Sequence, residues 1–132
     1  MGDADAVKHF FQAINARDAD HIARLLTADH EFIDSLGHAV RGHDAVRAAW
    51  RGYFALCPDY AVEVEEIIDG AECVFAVGSA GGTIAEGDKL PTANKWRIPA
   101  AWRAVVRDNL ISRWQVYADN KPVHDILARR RR

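Results

Sequence analysis

A chain of 132 residues, 49% hydrophobic and 27% charged, can bury one real core, which excludes a disordered chain and fits a single domain over residues 1–132. A formal net charge of −2 argues against nucleic-acid binding, which needs clustered positive charge to offset phosphates. No apolar run approaches the roughly 20 residues that span a bilayer, and the acidic start Met1-Gly2-Asp3-Ala4-Asp5 lacks a signal-peptide pattern, so no membrane contact and a cytoplasmic location are expected.

Residues 5–16, DAVKHFFQAINA, place Val7, Phe10, Phe11 and Ile14 on one stripe at helical spacing. In RDADHIARLL, Asp18 or Asp20 can cap a second helix that buries Ile22, Leu25 and Leu26. HEFIDSLG is a short strand ended by Gly37, with Asp34 set among apolar residues on the parity of Phe32. A third helix spans about residues 44–55, carries Val46, Trp50, Tyr53 and Phe54, and is stopped by Cys57-Pro58-Asp59.

From there the pattern turns to strands. YAVEVEEIID alternates cleanly, and Asp69-Gly70 is a hairpin signal. CVFAVGSA follows, with Gly81-Gly82 allowing a bend or bulge. WRIPAAWRAVV and LISRWQVYAD are joined by Arg107-Asp108-Asn109, and Pro99 marks a bulge or an edge-like spot. PVHDILA closes the chain as a short helix or turn, and Arg129–Arg132 form a basic tail expected to fray. Cys57 and Cys73 are expected as buried thiols. Helices first and a sheet of four to six strands after is an α+β pattern, with room for a small-molecule cavity between the layers.

Four stretches, NARDADHIARLLTADHEFIDSLG, RGHDAVRAAW, LPTANKWRIPAAWRAVVRDNLISRWQVYAD and KPVHDIL, taken in this order, resemble the nuclear transport factor 2-like superfamily. Its SnoaL-like and ketosteroid isomerase-like branches are the nearest in pattern. The resemblance implies a cone-shaped, curved antiparallel sheet wrapped around three N-terminal helices, a cystatin-like α+β roll. It hosts many activities, so it does not choose among them.

In ketosteroid isomerases the strand after the second helix carries the proton-abstracting aspartate, and Asp34 matches that position. Desolvation at the mouth of an apolar cavity would make such a carboxylate more basic. The competing reading is an Asp that caps the turn at Ser35-Leu36-Gly37. The family's oxyanion hole uses a tyrosine and a protonated aspartic acid; here those positions hold Phe10 and, nearby, Ala100. Losing one such donor costs about 3–4 kcal/mol of transition-state stabilisation, so true steroid isomerisation is not expected.

Epoxide hydrolase-like and SnoaL-like members carry an acid/base aspartate at the end of the last strand, which Asp119 matches; a strand-end cap over Asn120-Lys121-Pro122 competes. The arginine and second aspartate of the epoxide hydrolases are missing from CVFAVGSA, which makes that activity a minor alternative. Parity puts Gln115 and Tyr117 with Asp119, while Trp114 and Val116 face the other way, as core or as a dimer contact. The family implies a homodimer through the outer sheet face.

Trp96, Ile98, Ala100, Trp102 and Ala104 share one parity, with Lys95, Arg97 and Arg103 opposite. Phe10, Trp50, Tyr53, Trp102 and Tyr117 are expected to line the pocket, with His38 as a proton shuttle on its rim. Asp34, His38 and His43 match no metal-ligand spacing. No glycine-rich phosphate loop precedes a helix and no partnered nucleophile stands out, so no cofactor is expected. Three readings remain: a cofactor-free isomerase, cyclase or dehydratase using Asp34 and perhaps Asp119 on a small apolar cyclic molecule, a non-catalytic ligand-binding domain, or a dimeric scaffold whose core is filled.

Overall fold

The computed structural model describes residues 2–130. Helix α1 (Asp3–Asn15) buries its predicted stripe of Val7, Phe10, Phe11 and Ile14. In α2 (Ala19–Arg24) the Asp18 carboxylate accepts the His21 N–H at 3.0 Å, the capping bond that an Asp at this position supplies. The second helix stops short of Leu26, because Leu26 already opens strand β1 (Leu26–Ile33). Residues 34–38 form a turn rather than strand, and β2 (Ala39–Arg41), absent from the sequence reading, folds back on β1. Gly42, at φ +94°, a region few side-chain-bearing residues adopt, redirects the chain into α3 (His43–Leu56).

Strands β3 (Ala61–Asp69) and β4 (Val74–Thr83) form a hairpin closed by the Gly70 N–H donating to the Cys73 carbonyl at 3.0 Å. A short 3₁₀ turn (Thr92–Asn94) leads into β5 (Lys95–Arg107), which pairs with β6 (Leu110–Ala118). Asp108 and Asn109 between them both have positive φ, the geometry that two-residue hairpins favour and Asp and Asn tolerate. Helix α4 (Lys121–Arg130) follows.

The sheet has six strands in the order β2-β1-β6-β5-β4-β3. Every pair is antiparallel except β1 with β6, which run parallel. Its inner face carries Trp96, Ile98, Ala100, Trp102 and Ala104, all buried, with no parity shift at Pro99. Proline is tolerated there because β6 pairs with β5 only from Ala100 onward, so Pro99 lies past the end of that ladder. Gly81 and Gly82 stay in register with β5; the bulge sits in β3, between Val64 and Glu66. A side chain at Gly82 would strike the Cys57 sulfur. Cys57 is fully buried, Cys73 is partly exposed, and both thiols are free.

Of the basic run, Arg129 and Arg130 form the last turn of α4, where Arg129 donates to the Ala93 carbonyl at 2.9 Å. Arg131 and Arg132 lie outside the described residues. No helix among the described residues is long and apolar enough to cross a membrane.

Candidate functional site

A cavity of about 340 Å³ opens between the inner sheet face and the helices, within the size range of small-molecule pockets. It exists because small side chains interrupt the inner row. Ala100 and Ala118 are cross-strand partners, Ala80 lies on β4, and all three line the space. Indoles frame it: Trp96 and Trp102 from β5, Trp114 from β6 and Trp50 from α3. Helix α3 also presents Tyr53 and Leu56, and α4 closes the remaining side with Val123, His124 and Leu127.

Polar groups gather at one rim. Asp34, Ser35, Asn120 and His124 all line it. The Asn120 amide donates to the Ser35 hydroxyl, which ties the start of α4 to the turn between β1 and β2. Asp34 follows β1 directly. Its Oδ1 accepts the N–H groups of Leu36 and His38, each at 2.9 Å, while its own N–H donates to the His38 carbonyl at 2.9 Å. Oδ2 lies 3.5 Å from His38 Nδ1, and the side chain is 40% exposed. One oxygen therefore caps the turn, as the competing sequence reading expected, and the other lies beside the exposed His38 ring. This is not the isolated, desolvated carboxylate that the resemblance implies.

The other expected site residues divide. Trp50, Tyr53 and Trp102 line the cavity with Asp34. Asp119 does not. Ala118 points inward, so Asp119 and Tyr117 take the outward parity, and Asp119 Oδ1 accepts the Lys121 N–H at 3.0 Å at the start of α4. The two carboxylates do not share a pocket. Tyr117 is 47% exposed on the outer face. Phe10 is fully buried behind the lining, its ring centroid 4.5 Å from that of Trp114. His38 does not line the cavity, and its side chain is 77% exposed. Trp114 and Val116, open as core or dimer contact in the sequence, face inward. His43 turns to Asp44, at 3.3 Å, rather than to His38.

The sequence reading missed Ser35, Tyr60, Trp96, Asn120 and His124 as lining residues. His124 had a usable signal, since it stands one helical turn before Leu127 on an amphipathic helix. Tyr60 precedes β3, with its ring edge-on to Tyr53 at 4.9 Å and 85°. Burial pushes both phenols far above the ordinary tyrosine range, Tyr53 also through Tyr60 and Cys57 beside it and Tyr60 also through Cys57. The Cys57 thiol is pushed up to about 11 by burial, then by the Asp59 carboxylate. Burial opposes ionisation of Asp59, but bonds from the Thr83 hydroxyl (2.8 Å) and N–H (2.7 Å) hold its carboxyl below the ordinary range. Asp59 thereby pins the loop after α3 to the end of β4, a structural task away from the cavity.

Among known proteins, the family model of the SnoaL-like domain matches residues 7–114. No curated protein matches the chain. Solved structures share its fold. A protein described as a SnoaL-like polyketide cyclase from Shewanella denitrificans has a TM-score of 0.80 at 12% identity, over 96% of this chain and 97% of that one. A hypothetical protein with a ketosteroid isomerase-like fold from Catenulispora acidiphila, solved with trimethylamine, has a TM-score of 0.78 at 19% identity, over 89% and 88%. An LEH-like epoxide hydrolase from M. tuberculosis has a TM-score of 0.77 at 18% identity, over 96% and 90%. At these identities the likeness is one of fold, and the fold is that of the nuclear transport factor 2-like superfamily.

Proposed function

We propose, from the premise that this chain belongs to the SnoaL-like domain family, that it binds a small, largely apolar ring-containing molecule in the cavity and that Asp34 exchanges a proton with it at the mouth. The observation that carries this reading is an apolar hollow whose lining includes a single carboxylate, placed at the rim. Tryptophan and alanine supply a flat, oily space suited to ring faces. Oδ1 of Asp34 is engaged by two backbone N–H groups, which fixes the carboxylate in place and leaves Oδ2 as the base. Isomerisation, cyclisation and dehydration all need such a group. Steroid isomerisation fits poorly, because Phe10 lies behind the lining and Ala100 offers no donor.

A second reading is a non-catalytic binding domain. It is favoured by the same Oδ1 bonds, which give Asp34 a structural reason to be present without any chemistry. Asp34→Asn separates the two. An asparagine oxygen still accepts both N–H groups, so fold and binding should persist, while turnover of a cyclic substrate found by screening should fall by about 10²–10⁴-fold. Turnover unchanged in Asp34→Asn would remove the catalytic role.

The outer sheet face is the proposed contact with a second copy of the chain. Val77, Ala101 and Tyr117 stand in one cross-strand row, and Phe75 lies beside it. Phe75, Val77 and Tyr117 are exposed large hydrophobic residues. Trp114 and Val116 take no part, since they point into the cavity.

A further inference from the structure

All four tryptophans of the chain line this one cavity, and Phe32, Tyr53 and Tyr60 join them there. The Nε1 groups of Trp50, Trp96 and Trp114 are buried and lack a hydrogen-bond partner among the described residues. Being buried, they do not open on the hollow, which meets the carbon surface of these rings. The rings do not form one flat slot. Phe32 and Trp50 stand at 83° with centroids 5.7 Å apart, and Tyr53 and Tyr60 at 85° and 4.9 Å. The first pair belongs to the rim end, since Phe32 precedes Asp34 by two residues and is the cross-strand partner of Trp114. Charge in the lining is one-sided. Asp34 is its only acidic residue, and it includes no lysine or arginine. The Asn120 amide is engaged by the Ser35 hydroxyl. An aromatic face carries negative electrostatic potential, so the rings and the carboxylate together favour positive charge in the hollow.

We propose that the ligand is a cation: a ring-containing molecule with a tertiary or quaternary alkylammonium group, seated among Phe32, Trp50 and Trp114 at the Asp34 end of the cavity. A cation set against indole and phenyl faces is attracted by the ring quadrupoles, most strongly where water is excluded. A primary ammonium has three N–H donors to satisfy, and this wall supplies few acceptors. Alkyl groups on the nitrogen remove those donors and spread the charge over apolar surface that matches the wall. The rest of the molecule lies over Ala80, Ala100 and Ala118. The rings hold the cation. Asp34, with its side chain 40% exposed, is screened by water and adds a smaller share, so it keeps the proton-exchange role. This inference rests on the ligand-binding reading above and names the charge class of its ligand.

The test uses the full chain and two probes of one shape: phenyltrimethylammonium, which is charged, and tert-butylbenzene, in which carbon replaces the nitrogen. Tryptophan fluorescence titration at near-physiological salt should give the cation about 10-fold tighter binding, the scale of one or two cation–π contacts. Replacing all four tryptophans by 5-fluorotryptophan nearly keeps their shape and weakens the negative potential of their faces. In that protein the cation should lose about 3-fold in affinity while tert-butylbenzene is unchanged. Phe32→Leu should narrow the gap in the same direction, and Asp34→Asn should keep most of it. Near-UV circular dichroism checks the fluorinated protein; if it is not native, Phe32→Leu carries the test. Equal affinities for the two probes in the wild type, a gap that survives both fluorination and Phe32→Leu, or a gap abolished by Asp34→Asn would overturn the aromatic seat while leaving the cavity reading intact. If neither probe binds, the cavity reading fails and the cation inference falls with it.

Discussion

His30 is fully buried in β1, and its Nδ1–H donates to the Ile111 carbonyl at 2.7 Å, while Nε2 has no partner among the described residues. A proton on Nε2 would be charged and unpaired in the interior. Burial therefore holds the imidazole below its ordinary value of 6.5, against the Ile111 bond and the Asp29 and Glu31 carboxylates, with His43 adding a smaller push the same way. The folded state binds this proton less readily than the unfolded chain, so the stabilisation is complete above pH 6.5 and is lost as pH falls below it. Chemical denaturation at a series of pH values should show that loss, and His30→Leu should flatten it even if it lowers stability overall. At this scale the sequence is legible where parity and turn chemistry agree. Asp34 follows Phe32 by two residues and precedes a Ser-Leu-Gly turn, so both its cavity position and its capping bond could be anticipated. Asp119 misled because a strand-end carboxylate carries no mark of which face its strand turns inward. The four tryptophans (Trp50, Trp96, Trp102 and Trp114) were equally visible, but parity alone could not say that Trp114 faces the same hollow as Trp102.

Elements were read well where the signal is local and poorly where it is not. Helices α1 and α3 and the β5–β6 hairpin follow from apolar spacing and from residues that accept positive φ. Strand β2 is three residues long, too short for alternation to show. The parallel contact of β1 with β6 is invisible in either segment alone, because it joins residues some eighty positions apart, such as Phe32 and Trp114. Glycine is a usual marker of bulges, so Gly81-Gly82 allows a bend or bulge at the end of β4, whereas the bulge lies in β3, between Val64 and Glu66. The glycine that matters is Gly78, opposite the bulge, where a Cβ would lie 1.9 Å from the Glu63 carbonyl oxygen. Backbone, not a flexible side-chain tip, blocks it. Gly78→Ala should cost about 3 kcal/mol, at the upper end of overpacking penalties, seen as a lower urea midpoint with unchanged slope. Gly52, where nothing lies within 4 Å of a new Cβ, serves as the control; Gly52→Ala in α3 should be neutral or slightly stabilising.

For the molecule as a whole, helices followed by strands announced the α+β roll and the room for a cavity between its layers. Whole-molecule association depends on which sheet face is convex and apolar, and that follows only once parity is fixed in three dimensions. The outer face presents Phe75 at 41% exposure beside Val77 and Tyr117, with Arg97 paired to Glu63 at 2.9 Å nearby. An apolar centre beside charged residues is the anatomy of an interface. Sedimentation at micromolar concentration should give the mass of a dimer, and Phe75→Glu should shift it toward the monomer without altering the far-UV spectrum. A wild-type monomer under those conditions would overturn the association.

Ala80, Ala100 and Ala118 deserve a last consequence. Three methyl groups stand where the strands would accept leucine or isoleucine, so the empty protein forgoes cohesion that its backbone could support. A guest molecule that fits restores those missing contacts in the native state and finds none in the denatured chain, so occupancy should raise the melting temperature in proportion to the logarithm of guest concentration. Ala100→Leu should have the opposite pair of effects on the free and loaded protein: a higher melting point alone, and no further rise when the guest is added.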